Sequence, residues 1–165
     1  MIREVRNEDA GEITEIYNHY ILNTTVTFEI APLTVVEMER RIEDISSAYP
    51  YMVYEQDGHV VGYCYVHQWH ERAAFQGVVE LSVYLSPAST GHGIGKELML
   101  RMIEECRRRG YRVLISCVTG GNEVSRTMHT RMGFVEVGHF PDVGLKFGRL
   151  IDIYYYQLPL QSIDR

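Results

Sequence analysis

No stretch of this chain approaches the ~20 consecutive apolar residues that a membrane-spanning helix needs. The opening, MIREVRNEDAGEI, also lacks the apolar run of an export signal. Basic residues are in deficit: 16 Lys and Arg stand against 22 Asp and Glu, for a formal net charge of -6. That balance argues against nucleic acid or an anionic membrane as a partner. Cysteine is scarce and odd in number: Cys64, Cys106 and Cys117. Three widely spaced thiols make neither a disulfide framework nor a zinc site, and their apolar neighbours predict buried free thiols. The histidines show no metal-ligand spacing, so no metal is expected. Repeats, low-complexity tracts and linkers are missing too. The expectation is one cytoplasmic domain over residues 1–165.

The chain has instead what a packed globular core requires, 45% hydrophobic residues in regular patterns. Ile2 to Val5 reads as a short strand, and Asn7 or Asp9 as the cap of a helix whose apolar face is Ile13, Ile16, Tyr17, Tyr20 and Ile21. A second helix starts at Thr34, with a stripe of Val35, Met38, Ile42 and Ile45. Two strands, Tyr51 to Glu55 and His59 to Val66, flank Asp57-Gly58, a strong hairpin signal. A strand follows from Val78 to Ser86, then a Gly-rich turn and a helix to about Arg109, with Ile94, Leu98, Met102 and Cys106 inward. Arg107, Arg108 and Arg109 fall where a helix C-terminus favours cations; solvation is their ordinary fate, phosphate contact the alternative. Arg112 to Val118 is a strand and Asn122 to Met132 a short helix capped by Asn122. Strands near Phe134 to Phe140 and Arg149 to Leu158 close the chain. The order β-α-α-β-β-β-α-β-α-β-β predicts an α/β (α+β) domain: a mixed sheet of about seven strands flanked by about four helices.

Two segments carry chemistry. In the first, a strand runs into Thr90-Gly91-His92-Gly93-Ile94-Gly95-Lys96 and then a helix. Glycines let the backbone curl close to a ligand, and the free amides of the first helical turn favour an anion there. A plain tight connection is the alternative. The spacing fits neither a P-loop nor a dinucleotide fingerprint. In the second segment, Asn122, Ser125 and His129 fall at i, i+3 and i+7 and share a polar face. Val124, Met128 and Met132 form an apolar stripe expected to pack inward.

The first segment resembles the acetyl-CoA motif of the GNAT superfamily, Gln/Arg-x-x-Gly-x-Gly/Ala, with Thr90 at the first position. The second resembles that superfamily's Asn-x-x-Ala/Ser-x-x-x-Tyr helix, with His129 in place of Tyr. His129, together with Glu80-Leu81-Ser82-Val83-Tyr84, narrows the likeness to the phosphinothricin and methionine sulfoximine/sulfone N-acetyltransferase group. Ile16-Tyr17-Asn18, Asn23-Thr24-Thr25, Phe28-Glu29, Arg72-Ala73-Ala74-Phe75, Lys146-Phe147-Gly148-Arg149, Asp152 and Gln157 extend it along nearly the whole chain.

The resemblance implies a GNAT fold with two parallel strands splayed apart and a bulge near Ser82 to Tyr84. It implies acetyl-CoA held by Val83, Tyr84 and Leu85, by Gly91, His92, Gly93, Ile94, Gly95 and Lys96, and by Asn122 and Ser125. It implies a small amino acid-like amine as acceptor, in a pocket of Phe28, Arg72, Phe75, Val78 and Tyr84. Arg72 is expected to pair with the acceptor's anionic group. Val78 stands where the group usually has Thr, which bears on the acceptor more than on the reaction. Homodimers are the rule in the group. The tyrosine run Tyr154-Tyr155-Tyr156 reads equally as an interface or as ordinary sheet core.

Acetyl transfer needs a neutral amine, and a model α-amino group has a pKa near ~8. A base must therefore take a proton, and the leaving thiolate departs better with one. Glu80 and His129 are the candidates, with the two roles open between them. A structural ion pair of Glu80 with Arg72 is the plain alternative for the carboxylate. Acetylation of peptide or protein amines and a non-catalytic coenzyme A sensor are the competing functions.

Overall fold

The computed structural model describes residues 1–162; the last three positions of the expected domain lie outside the described residues. The elements are β1 (Ile2–Glu4), α1 (Ala10–Asn23), α2 (Val35–Ser46), β2 (Tyr51–Gln56), β3 (His59–Gln68), β4 (Val78–Leu85), α3 (Ile94–Arg108), β5 (Val113–Thr119), α4 (Glu123–Arg131), β6 (Val135–Lys146) and β7 (Arg149–Pro159). They follow the expected order. The seven strands form one sheet, ordered β1-β2-β3-β4-β5-β7-β6. Among the described residues, β4 and β5 are the only neighbouring strands paired in parallel.

Strand alternation sorts the core onto two faces. On one, Tyr51, Val53 and Tyr63 pack with Ile13, Ile21, Met38 and Ile42 of α1 and α2. On the other, Met52, Cys64, Val79, Leu81 and Leu114 pack with Leu98, Met99 and Met102 of α3, and Met128 and Met132 of α4 lean on that cluster. No helix among the described residues is long and apolar enough to cross a membrane.

Local chemistry sets the boundaries. Thr34 and Glu37 form a capping box: Thr34 Oγ1 accepts from Glu37 N at 3.2 Å, and Thr34 N donates to Glu37 Oε2 at 2.7 Å. Asp57 and Gly58 both have positive φ, 52° and 81°, as a two-residue hairpin turn requires. At the end of α3, Arg108 Nη2 and Arg109 Nε close on Glu105 Oε1 at 2.6 and 2.8 Å. The Arg108 guanidinium first, then Arg109, hold the Glu105 carboxyl down at about 2.

Several local expectations need correction. Asp9 does not cap α1 as its N-cap residue; its carboxylate instead accepts from Arg6 N at 2.8 Å, capping the short 3-10 turn that leads into α1, and takes a two-pronged bond from Arg3, 2.8 Å at each oxygen, which ties β1 to the helix start. Val35 is exposed, so the α2 stripe narrows to Met38 and Ile42, with Ile45 half-buried. Val124 is 84% exposed and does not pack inward. The penultimate strand runs on to Lys146, because a second tight turn at Phe147 (φ 53°) and Gly148 (φ 70°) joins it to β7. No bulge interrupts the β3–β4 register from Gly62↔Leu85 to Gln68↔Val79. The distortion lies on the other side of β4.

Candidate active site

The parallel pairing of β4 with β5 covers only Val78–Leu81 against Val113–Ser116. Beyond Leu81 and Ser116 the strands diverge, although β4 continues to Leu85 and β5 to Thr119. Ser82 to Leu85 thus keep one backbone edge without a strand partner inside a sheet, where such groups normally find one; the Leu85 carbonyl is met instead by Tyr20 Oη at 2.6 Å. This fork opens a cleft of about 180 Å³, closed by Val26, Thr27 and Phe28 of the α1–α2 loop and by Asn122, Ser125 and His129 of α4.

Glu80 enters the cleft on the α1/α2 face, where β4 alternation also sends Ser82 and Tyr84. Among the described residues no ion pair joins Glu80 to Arg72 or to any other base. Burial pushes its carboxyl above the usual range, and His67, its partner across the β3–β4 ladder, opposes the shift. Cys117 also lines the cleft and is only half-buried, unlike Cys64 and Cys106. Burial foremost, and then Glu80, push its thiol up to about 11.

His129 reaches the fork from the α3/α4 face. Only 2% of it is exposed, and its ring packs against Phe134 and Tyr156. Nδ1 lies 2.7 Å from the carbonyl oxygen of Ser125, and Nε2 lies 2.7 Å from Ser116 Oγ. A carbonyl only accepts, so Nδ1 carries the proton and Nε2 of the neutral ring accepts from the Ser116 hydroxyl. Burial holds the imidazole below its usual pKa, against the Ser125 bond.

Beside the fork, Gly91 and Gly93 take left-handed conformations, φ 80° and 83°, and α3 starts at Ile94. A Cβ on either glycine would meet nothing within 4 Å, so the turn leaves open space at the helix N-terminus. Gly95 is different. Its added Cβ would come 3.4 Å from Leu85 Cδ1, which shows how closely α3 docks on the end of β4. Asn122 caps α4 by accepting from Ser125 N at 3.3 Å.

Thr119 gives an independent sign of a missing ligand. Its Oγ1 is a buried side-chain oxygen without a hydrogen-bond partner, and it lines the cleft beyond the fork. Such orphans are rare in native structures and call for a partner. A free strand edge, an orphan hydroxyl and an anion-ready helix end fit an extended, amide-bearing, phosphate-tailed molecule lying in the fork.

The acceptor residues divide. Phe28 and Tyr84 line the cleft; Arg72, Phe75 and Val78 do not. Arg72 is exposed on the β3–β4 loop, where Phe75 packs edge-on to Trp69 at 5.4 Å. The chain by itself therefore does not bring the Arg72 guanidinium to Glu80. Among the cofactor positions, His92 is exposed and shares a surface hollow with Ala88 and the β2–β3 turn, and Lys96 shares another with Glu123 and Thr127.

Sequence reasoning missed Ser116, Cys117 and Thr119, because an apolar run such as Val113 to Val118 does not reveal which face meets a cleft. It also missed what holds Phe28. Gly144 of β6 lies against that ring, where a Cβ would come 2.8 Å from Cε1, and the buried Lys146 donates from Nζ to Thr27 O at 2.8 Å.

Comparison with known proteins agrees with this geometry. Residues 2–154 match the model of the acetyltransferase (GNAT) domain. The chain is 39% identical over 165 residues to a phosphinothricin N-acetyltransferase of Alcaligenes faecalis, covering 99% of this chain and 84% of that one. It is 36% identical to an L-methionine sulfoximine/L-methionine sulfone acetyltransferase of Salmonella typhimurium, covering 98% and 95%. Its fold is similar to an acetyltransferase of Salmonella typhimurium solved with its cofactor acetyl-CoA: TM-score 0.96, 34% identity, 100% of this chain and 96% of that one. The chain belongs to the GNAT acetyltransferase family.

The Gly-rich turn can be tested alone. Gly93→Val is expected to weaken acetyl-CoA binding about tenfold, read by calorimetric titration, since a non-glycine residue costs roughly 1–2 kcal/mol in the left-handed region. Unchanged affinity would remove Gly93 from the cofactor's surroundings.

Proposed function

We propose that this protein is an acetyl-CoA-dependent N-acetyltransferase whose acceptor is the amine of a small, polar amino acid such as phosphinothricin, methionine sulfoximine or methionine sulfone. The observation that carries the reading is the fork: a slot through the sheet, with Glu80 at one face and Ser116–His129 at the other. The activities of the relatives support the acceptor class. The site is assigned as a direct transfer. Glu80 accepts the ammonium proton, the amine attacks the thioester carbon, and the amides at the helix N-terminus hold the diphosphate.

Phe28 and Tyr84 are the acceptor walls the cleft supports. Arg72, Phe75 and Val78 contribute only if the β3–β4 loop folds toward the cleft or a second subunit completes it. A homodimer is part of the reading, in the cytoplasm. It is supported by the edge strand β6, where Val137, Phe140, Val143 and Leu145 are exposed. Within the tyrosine run on the inner strand β7, burial of Tyr156 supports its reading as sheet core, while Tyr154 and Tyr155 are half-buried.

The test is thiol release from acetyl-CoA with a panel of amino acids, beside light scattering for the oligomeric state. Turnover with small polar amino acids is expected. Turnover confined to peptides would move the reading to protein N-acetylation, and none with any amine would leave a coenzyme A sensor.

A further inference from the structure

Ser116 holds the one position where the two halves of the candidate chemistry meet. It is the last residue of β5 paired with β4, opposite Leu81, so it sits in the crotch of the fork. It is 4% exposed, yet it lines the cleft. Its Oγ is the only group among the described residues that His129 Nε2 touches as a hydrogen-bond partner, and the Ser125 carbonyl fixes the other ring nitrogen. His129 thus presents no free nitrogen to a ligand. Whatever proton it handles must pass through the serine hydroxyl, which has one proton to give and lone pairs to receive another.

We propose that Ser116 and His129 act as one unit, a hydroxyl–imidazole relay that takes a proton from the attacking nitrogen and returns it to the leaving sulfur. The inference rests on the acetyltransferase reading above. Glu80 removes the first proton from the ammonium. The nitrogen lone pair then forms the C–N bond, and the carbonyl π electrons move to oxygen. The nitrogen, now cationic, gives its second proton to Ser116 Oγ as the serine's own proton moves to His129 Nε2. The oxyanion re-forms the carbonyl and the C–S bond breaks with its electron pair on sulfur. His129 Nε2–H passes its proton back to Ser116 Oγ while the hydroxyl proton goes to the thiolate. The products are the amide, the free thiol and a proton held by Glu80. Serine and histidine end as they began.

The relay divides labour between the faces of the sheet. Glu80 is the base on the α1/α2 side, and the pair on the α3/α4 side carries the proton that must change atoms. It also accounts for a serine hydroxyl buried beside an imidazole and yet open to the cleft.

The experiment is a mutant cycle of Ser116→Ala, His129→Phe and the double variant, assayed by thiol release and by acetyl-CoA-induced thermal shift. Each single variant is expected to lose kcat by about 10²-fold, the low end for a positioned proton donor or acceptor. The double should lose the same amount, because parts of one unit are not additive. The KM for acetyl-CoA and the thermal shift should stay near wild type. Ser116→Thr keeps the hydroxyl and is expected to recover most of the rate lost in Ser116→Ala. A Ser116→Ala enzyme within twofold of wild type overturns the relay. So do losses that multiply in the double variant, or a Ser116→Thr enzyme as slow as the alanine form while both still bind acetyl-CoA. If the wild-type enzyme itself releases no thiol with any amine, the acetyltransferase reading has failed and the relay falls with it.

Discussion

Glu80→Gln is expected to lower kcat by about 10²- to 10⁴-fold while leaving acetyl-CoA affinity nearly unchanged. Glutamine keeps the shape of the side chain and loses the ability to take a proton. Glu80 has no ion pair among the described residues that the change would break, so the fold should tolerate it. The pH profile gives a second readout. Burial raises the Glu80 pKa, so the base is lost as pH falls through a value above the ordinary carboxylate range. The acidic limb of kcat/KM should lie there, and it should vanish in the glutamine variant. His67 opposes the shift, so His67→Gln is expected to move that limb to higher pH. Equal loss of acetyl-CoA affinity in Glu80→Gln would recast the carboxylate as structural.

Leu98→Ala is expected to be the most damaging of these changes to stability. Leu98 is fully buried in α3, where Gly62 leaves room for it and Cys64 Sγ–H reaches its carbonyl oxygen at 3.6 Å. A core Leu→Ala change costs about 2–5 kcal/mol, the spread reflecting how far the site can collapse. For a domain of this size that corresponds to a fall in Tm of roughly 4–20 °C. The functional consequence follows from position. Leu98 lies just past the first turn of the helix that docks through Gly95 on the end of β4, so acetyl-CoA affinity should fall along with Tm. A loss below about 1 kcal/mol, measured by denaturant titration, would mean that the cluster repacks around the gap.

What was legible in the sequence was whatever local chemistry decides. Asp57-Gly58, Thr34 with Glu37, and Gly91 with Gly93 act within a few residues, through φ or through a cap, and each sits where its pattern says. Glu80 and His129 were legible as ionisable groups set in apolar or helical patterns, and they do line one cleft. What was not legible depends on long-range partners. Asp9 reads as a local cap, and its second role, holding Arg3 of β1, shows only when the strand is placed beside it. Val124 reads as core by spacing, but it is exposed and His129 takes the inward place on α4. The Phe147-Gly148 turn is hidden because a bulky residue rarely accepts positive φ. Arg72 reads as an anchor in the acceptor pocket, and a single chain leaves it at the surface.

The divergence of β4 and β5 has a consequence for the order of events. Six neighbouring strand pairs hold this sheet together, and the parallel one stops halfway along its strands. On that edge Tyr20 Oη donates to the Leu85 carbonyl at 2.6 Å, and the other backbone groups from Ser82 onward face water until an extended molecule slides between the strands. In the proposed function acetyl-CoA is the molecule that takes this place, as an interior strand replaced at every turnover. The sheet would then be whole only while it is loaded, and departure of the spent molecule would return those backbone groups to solvent. Rigidity across the middle of the protein should accordingly rise and fall with the catalytic cycle, with the β1–β4 half and the β5–β6 half joined most firmly when there is work to do.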